Sequence, residues 1–152
     1  MPGEAKTPGV TIREFRPGDY ESVIALWQSA ELPLKPRGRD SRENIERQVA
    51  EPTTFFLVAE TSAGEIAGTV LATHDGRKGW INRLAVAPAW RRSGVGRRLV
   101  QEAEARLEAL GLEIIAALIE DENLVSKAVF ERLGYVEHRE ILYFAKRKHP
   151  GA

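Results

Sequence analysis

The chain has 152 residues, 22 Lys+Arg balanced by 22 Asp+Glu, and no cysteine. That length suits one compact domain, since a domain takes roughly 100–200 residues, and a core of that size needs no staple of disulfides or metal. Zero net charge argues against a dedicated nucleic-acid binder, whose affinity rests on neutralising phosphates. The missing cysteines exclude disulfides, thiolate metal sites and a cysteine nucleophile.

No apolar run reaches the ~18 residues that a membrane span requires. Residues 1–9 are polar with Pro and Gly and lack the apolar stretch of a secretory signal, so they read as a flexible lead-in. A cytoplasmic chain is expected, consistent with the absence of cysteine.

Val10 to Phe15 alternates apolar and polar residues and predicts a first strand. Pro17-Gly18 breaks it, and Asp19 can cap a helix whose apolar stripe is Tyr20, Val23, Ile24 and Trp27. Leu32 to Arg39, with two prolines and a glycine, is a loop. Asp40 followed by Glu43 predicts a capping box opening a second helix to about Ala50, with Ile45 and Val49 inward. Phe55–Thr61 and Glu65–Thr73 flank an Ala63-Gly64 turn, which is a hairpin. Another turn at Asp75-Gly76 leads to a strand from Trp80 to Val86, stopped by Pro88.

Gly94 to Leu110 predicts a helix with Gly96, Leu99, Val100, Ala103, Leu107 and Leu110 on one face, ended by Gly111. The unbroken apolar run Ile114–Ile119 reads as a strand buried on both faces. Asn123 opens a short helix with Val125, Ala128, Val129 and Leu133 inward, closed by Gly134. Two short strands are expected near Val136 and over Leu142–Ala145, followed by a loose basic tail at 147–152. Trp80–Ile119 is then a βαβ unit, which makes its strands parallel. With antiparallel hairpins around it, the fold class is α/β (α+β) with a mixed sheet, in a single domain over 10–146.

The informative stretch is the strand end at Leu84-Ala85-Val86, then Pro88, then Arg91-Arg92-Ser93-Gly94-Val95-Gly96-Arg97 running into a helix. Loop amides and the helix N-terminus present unpaired N–H donors where the macrodipole favours an anion. Glycines let backbone approach a phosphate, and arginines add charge-assisted bonds. A Walker loop needs Gly-Lys-Ser/Thr, but Arg97 follows Gly96. A dinucleotide fingerprint needs a third glycine where Leu99 stands. What remains is R-x-x-G-x-G, carried by Arg91, Gly94 and Gly96.

This stretch resembles the pyrophosphate-binding motif of the GNAT superfamily of N-acetyltransferases. Asn123, Ser126, Phe130 and Gly134-Tyr135 are similar to a second signature of that family, N-x-x-A-x-x-x-Y-x-x-x-G-F. The resemblance implies a centrally splayed sheet flanked by about four helices, with acetyl-CoA as co-substrate and no metal. It implies that pantetheine pairs with backbone of Leu84, Ala85 and Val86. The pyrophosphate would take Arg91, Arg92, Ser93, Gly94, Val95, Gly96 and Arg97, with Asn123, Ser126, Lys127 and Phe130 also lining the cofactor. Trp27, Glu31 and Asn82 fall where such proteins shape the acceptor site.

The implied reaction is direct attack of a primary amine on the thioester. The family commonly places a tyrosine, the acid for the departing thiolate, where this chain has Phe130, and a glutamate where it has Asn82 or Arg83. Tyr135, Tyr143 and Ser126 are the substitute acids to consider. Glu120, with Asp121 and Glu122, is the candidate base, and His74 and Asp75 stand behind them. Two readings stay open: an acetyl-CoA-dependent N-acetyltransferase acting on a small molecule or peptide, or an acyl-CoA-binding module with little turnover. The late strands leave room for a homodimer.

Overall fold

Side-chain alternation along one strand sets the layering. In β2 (Thr54–Thr61), Leu57 and Ala59 enter one hydrophobic cluster while Phe56 and Val58 enter another. All four are buried, so the sheet has a core on each side. The structure is a computed structural model describing residues 9–152; residues 1–8 of the expected lead-in lie outside the described residues.

The sheet has five strands in the order β1-β2-β3-β4-β5. β1 (Val10–Glu14), β2, β3 (Ile66–His74) and β4 (Gly79–Val86) are antiparallel neighbours. β5 (Ile115–Ala117) pairs parallel with β4, as the βαβ reading requires. One layer holds α1 (Tyr20–Ser29) and α2 (Arg42–Val49), with Val23, Leu26, Trp27 and Ile45 packed on Phe56, Val58, Leu71 and Ala85. The other holds α3 (Val95–Glu108), whose Val95, Leu99, Val100, Ala103 and Leu107 cover Leu57, Val70, Ile81 and Val86. Fully burying a leucine such as Leu99 contributes roughly 2 kcal/mol. α4 (Leu124–Arg132) adds Phe130 to the same cluster. No helix among the described residues is long and apolar enough to cross a membrane.

Several local expectations need correction. Among the described residues no strand follows Ala117, so those expected near Val136 and over Leu142–Ala145 are absent. Val136, Ile141, Leu142, Tyr143 and Phe144 are 70–89% exposed. The charged run Glu137-His138-Arg139-Glu140 interrupts the apolar alternation, and β5 offers only three paired residues as a template. β5 is therefore a half-covered edge, with Ile114 and Leu118 exposed, rather than a strand buried on both faces. Leu110 is exposed because α3 ends at Glu108, before the turn at Gly111.

One cap and one helix face also differ. Ser41, not Asp40, caps α2, its side chain accepting from the Asn44 amide at 3.2 Å. In α4 the buried residues are Ser126 and Phe130, with Val129 and Leu133 half-buried, whereas Val125 and Ala128 face out. A second shell of packing beyond α4 would be needed to cover those two.

Candidate functional site

β4 and β5 pair only at Gly79, Trp80 and Ile81, opposite Ile115, Ala116 and Ala117. Beyond Ile81 the two strands part, and the edge of Asn82–Val86 that faces β5 carries no ladder. A β-bulge marks that point. Thr69 pairs with Ala85 and Leu71 with Asn82, so Arg83 and Leu84 together oppose Val70. Arg83 takes φ 52°, a left-handed conformation that costs a non-glycine residue roughly 1 kcal/mol or more.

A closed network holds this strained residue. The Arg83 carbonyl accepts from Thr69 Oγ1 at 2.9 Å, and Thr69 Oγ1 accepts from Trp27 Nε1 at 2.9 Å. The Arg83 guanidinium lies 4.8 Å from the Trp27 ring centroid and donates to both Asp40 carboxylate oxygens, at 2.8 and 3.0 Å, and to the Pro33 carbonyl. Burial lowers the Arg83 pKa, and the Asp40 charge opposes that. Asp40 also accepts from the Lys35 amide at 2.8 Å. The α1–α2 loop is thus pinned to β4 where the strands diverge. Thr69 did not stand out in the sequence, and Asp40 stood out only as a helix cap. The Asn82-Arg83 pair, two polar residues in succession inside an apolar strand, is the one signal that could have announced the bulge.

β4 leads directly into the glycine loop. Pro88–Trp90 form a single 3-10 turn, and Arg92 and Gly94 both take positive φ, 62° and 90°. Gly94 is the N-cap of α3. The first-turn amides at Val95, Gly96 and Arg97 have no intrahelical acceptor and point past Gly94. A Cβ on Gly96 would sit 3.3 Å from Val86 Cγ2 and 3.4 Å from Val129 Cγ2, so its bare backbone is what lets α3, β4 and α4 meet. Arg91 folds back, its Nε donating to the Val86 carbonyl at 3.3 Å. Ser93 bonds the Trp90 carbonyl. Arg92 and Arg97 are exposed beside the loop, whereas Arg98 turns away to the Val10 carbonyl.

Across the gap, Asn123 Oδ1 caps α4 by accepting from the Ser126 amide at 3.1 Å. Lys127 pairs with Asp121 at 2.6 Å, which lowers the carboxyl pKa and raises that of the amine. The gap, the glycine loop and the α4 cap all lie at the same end of the parallel pair, the C-terminal end of β4 and β5, where ligands of open α/β sheets collect.

The model of the acetyltransferase (GNAT) family matches residues 20–135, about three quarters of the chain. The chain belongs to the GNAT acetyltransferase family. Solved structures agree on the fold. A GNAT-family acetyltransferase from Staphylococcus aureus superposes with TM-score 0.78 at 18% identity, covering 91% of this chain and 92% of that one. An aminoglycoside antibiotic 6'-N-acetyltransferase from Acinetobacter baumannii gives 0.74 at 19%, covering 93% and 100%. The enzyme AAC(6')-Iy, in complex with the bisubstrate analogue CoA-S-monomethyl-acetylneamine, gives 0.74 at 19%, covering 91% and 98%.

Within this GNAT chain the remaining candidates separate by location. Phe130 is buried and packs edge-on to Tyr135, with centroids 4.9 Å apart. The Tyr135 hydroxyl is buried without a hydrogen bond, on the side of α3; burial and the Glu104 carboxylate hold its pKa far above the usual phenol range. Tyr143 is exposed on the irregular segment after α4. Glu120 and Glu122 are exposed just past β5, at the gap end of the sheet. His74 and Asp75 are at the opposite end, where each accepts amides of its own turn: Gly76 at 3.2 Å for His74 Nδ1, Arg77 and Lys78 at 2.9 and 2.8 Å for Asp75 Oδ1. Trp27 is in the core under Arg83, Glu31 is exposed at the end of α1 with φ 58°, and Asn82 is half-buried at the bulge.

Proposed function

We propose that the domain over 10–146 transfers an acetyl group from acetyl-CoA to a primary amine by direct attack. The observation that carries the reading is continuity. The unladdered edge of β4, Asn82 to Val86, is joined by the 3-10 turn Pro88–Trp90 and the short loop after it to the left-handed Gly94 cap and the open amides of α3. An extended amide-bearing arm can add to that edge as a strand does, and a pyrophosphate suits the amides and dipole at its end.

In this reading the backbone of Leu84–Val86 takes the pantetheine, and the amides from Arg92 to Arg97, with Arg91, take the pyrophosphate. Asn123, Ser126 and Lys127 face the pantetheine and phosphates from α4. Glu120, exposed at the gap end, accepts a proton from the incoming ammonium through water. The free amine attacks the thioester carbonyl carbon, the attacking nitrogen gives its extra proton to water, the C–S bond breaks, and the neutral acetylated amine forms. Phe130 has no proton to give, the Tyr135 hydroxyl and Ser126 are buried, and Tyr143 is exposed on the irregular segment after α4; in this reading the thiolate leaves without a protein acid and takes its proton from water. A thiol pKa near ~8.5 makes that departure feasible at neutral pH. Positioning and electrostatics then supply most of the rate.

Thiol release from acetyl-CoA, measured across a panel of primary amines, tests this. Release that depends on an amine, with the acetylated product in equal amount, is the expected result. Tight CoA binding without turnover of any amine would leave the protein an acyl-CoA-binding module.

A further inference from the structure

The loop pinned to β4 is strongly cationic. Lys35, Arg37 and Arg39 all lie on it, and Arg83 joins them from the bulge. Among the described residues, Asp40 is the only carboxylate ion-paired with any of these four cations. Asp40 is already consumed, since it is 3% exposed and bonded twice to Arg83. Arg39 reaches it only at 3.6 Å, and its buried Nε has no hydrogen bond. Lys35 and Arg37 are exposed and have no ion-pair partner among the described residues.

These side chains surround a space. A cavity of about 320 Å³ is lined by Leu34, Lys35, Pro36, Arg37, Gly38 and Gly151. Its far wall is the chain's own tail, where the Gly151 carbonyl accepts from the Arg39 amide at 3.0 Å. The loop that lines the cavity is tied to the bulge of β4, because the Pro33 carbonyl and the Asp40 carboxylate on either side of it both accept from the Arg83 guanidinium. The volume accommodates an amino acid, a dipeptide or an amino sugar.

We infer that the acceptor is an amine that also carries an anionic group, read by Lys35 and Arg37. A polycationic amine meets like charge at this loop, which costs binding. Exposed cations attract an anion through solvent, and the effect is screened by salt. The inference rests on the acetyltransferase reading above and narrows its acceptor. Carboxylate and phosphate share the relevant chemistry.

The experiment compares matched acceptors with acetyl-CoA: glycylglycine with glycylglycinamide, glucosamine 6-phosphate with glucosamine, and spermidine. At least one anionic member should exceed its neutral counterpart tenfold or more in kcat/KM, and which pair does so names the anion. Lys35→Gln combined with Arg37→Gln should cut that preference to within about twofold by raising KM with kcat unchanged, and should leave the neutral acceptors as they were. Equal turnover of neutral and anionic acceptors, preference for spermidine, or a preference that survives the double substitution would overturn the inference. Isothermal titration of the N-acetylated products into CoA-saturated protein gives a second readout independent of turnover; tenfold tighter binding of an anionic product supports it, and equal or absent binding sinks it. If CoA itself fails to bind, the donor reading is what has failed, and the same titration on the free protein decides the loop alone.

Discussion

Replacing Gly94 by Asp puts one negative charge into the proposed anion cradle with little else changed. Gly94 has φ 90° and caps α3. A non-glycine residue there is strained by roughly 1 kcal/mol, less for Asp and Asn, which tolerate left-handed backbone. A carboxylate at a helix N-terminus returns about 0.3–1 kcal/mol. The net loss of stability should stay within about 1 kcal/mol, or roughly 2–4 °C in melting temperature for a chain of this size. Binding responds differently. A carboxylate about 5 Å from a phosphate charge costs roughly 3 kcal/mol at an effective dielectric constant near 20, which is more than a hundredfold in Kd. Gly94→Asn is the control, with the same size and strain but no charge. Titration of CoA by calorimetry should find Asp weakened more than a hundredfold and Asn less than tenfold. Equal weakening by both would mean that charge at this cap is irrelevant. Tight binding by the Asp variant would refute the placement of the pyrophosphate.

Other substitutions probe the supports. Asp40→Ala leaves the Arg83 guanidinium without its anion, which should cost about 3 kcal/mol and lower the melting temperature by roughly 6–12 °C; a loss under 2 °C would mean the clasp is idle. Tyr135→Phe removes a buried hydroxyl that makes no hydrogen bond, so stability should be unchanged or higher by up to ~1 kcal/mol, with thiol release unchanged. A hundredfold drop in kcat would instead make Tyr135 the acid. Asp19 is held by two bonds from Arg13, at 2.8 and 2.9 Å, and by the Arg16 amide, which lowers its carboxyl pKa. A lowered folded pKa means that its stabilisation is complete above the unfolded value of 3.8 and fades as pH falls through the lower folded one. The stability gap between the parent chain and Asp19→Asn in urea titrations should therefore be constant near neutrality and shrink below about pH 4; a gap that grows in acid would contradict the assignment.

The elements whose periodicity the core enforces were legible in the sequence. Leu57 and Val58, or Leu99, Val100 and Ala103, announce their faces because burial on a strand or helix leaves a period of two or 3.6. The glycine loop was legible because a left-handed cap at Gly94 demands a residue type. Features that depend on distant partners were not. Asp40 read as a helix cap, since Glu43 follows three residues later, yet its partner Arg83 stands far along the chain. The bulge needed that partner, Thr69 and Trp27 together. The late strands failed for a related reason: apolar residues such as Ile141 and Phe144 give β propensity, but a strand also needs an edge long enough to pair with, and β5 pairs over three residues.

Thermal melting with acetyl-CoA, CoA, ATP and NAD side by side tests the central claim most directly. A ligand that binds only the folded chain raises its stability by ~2.7 kcal/mol at a hundredfold excess over Kd, or roughly 5–10 °C here. Stabilisation by acetyl-CoA and CoA, with neither ATP nor NAD effective, is the predicted result. No shift with the two CoA species, or a shift with ATP or NAD alone, would contradict the reading of the gap and its glycine loop.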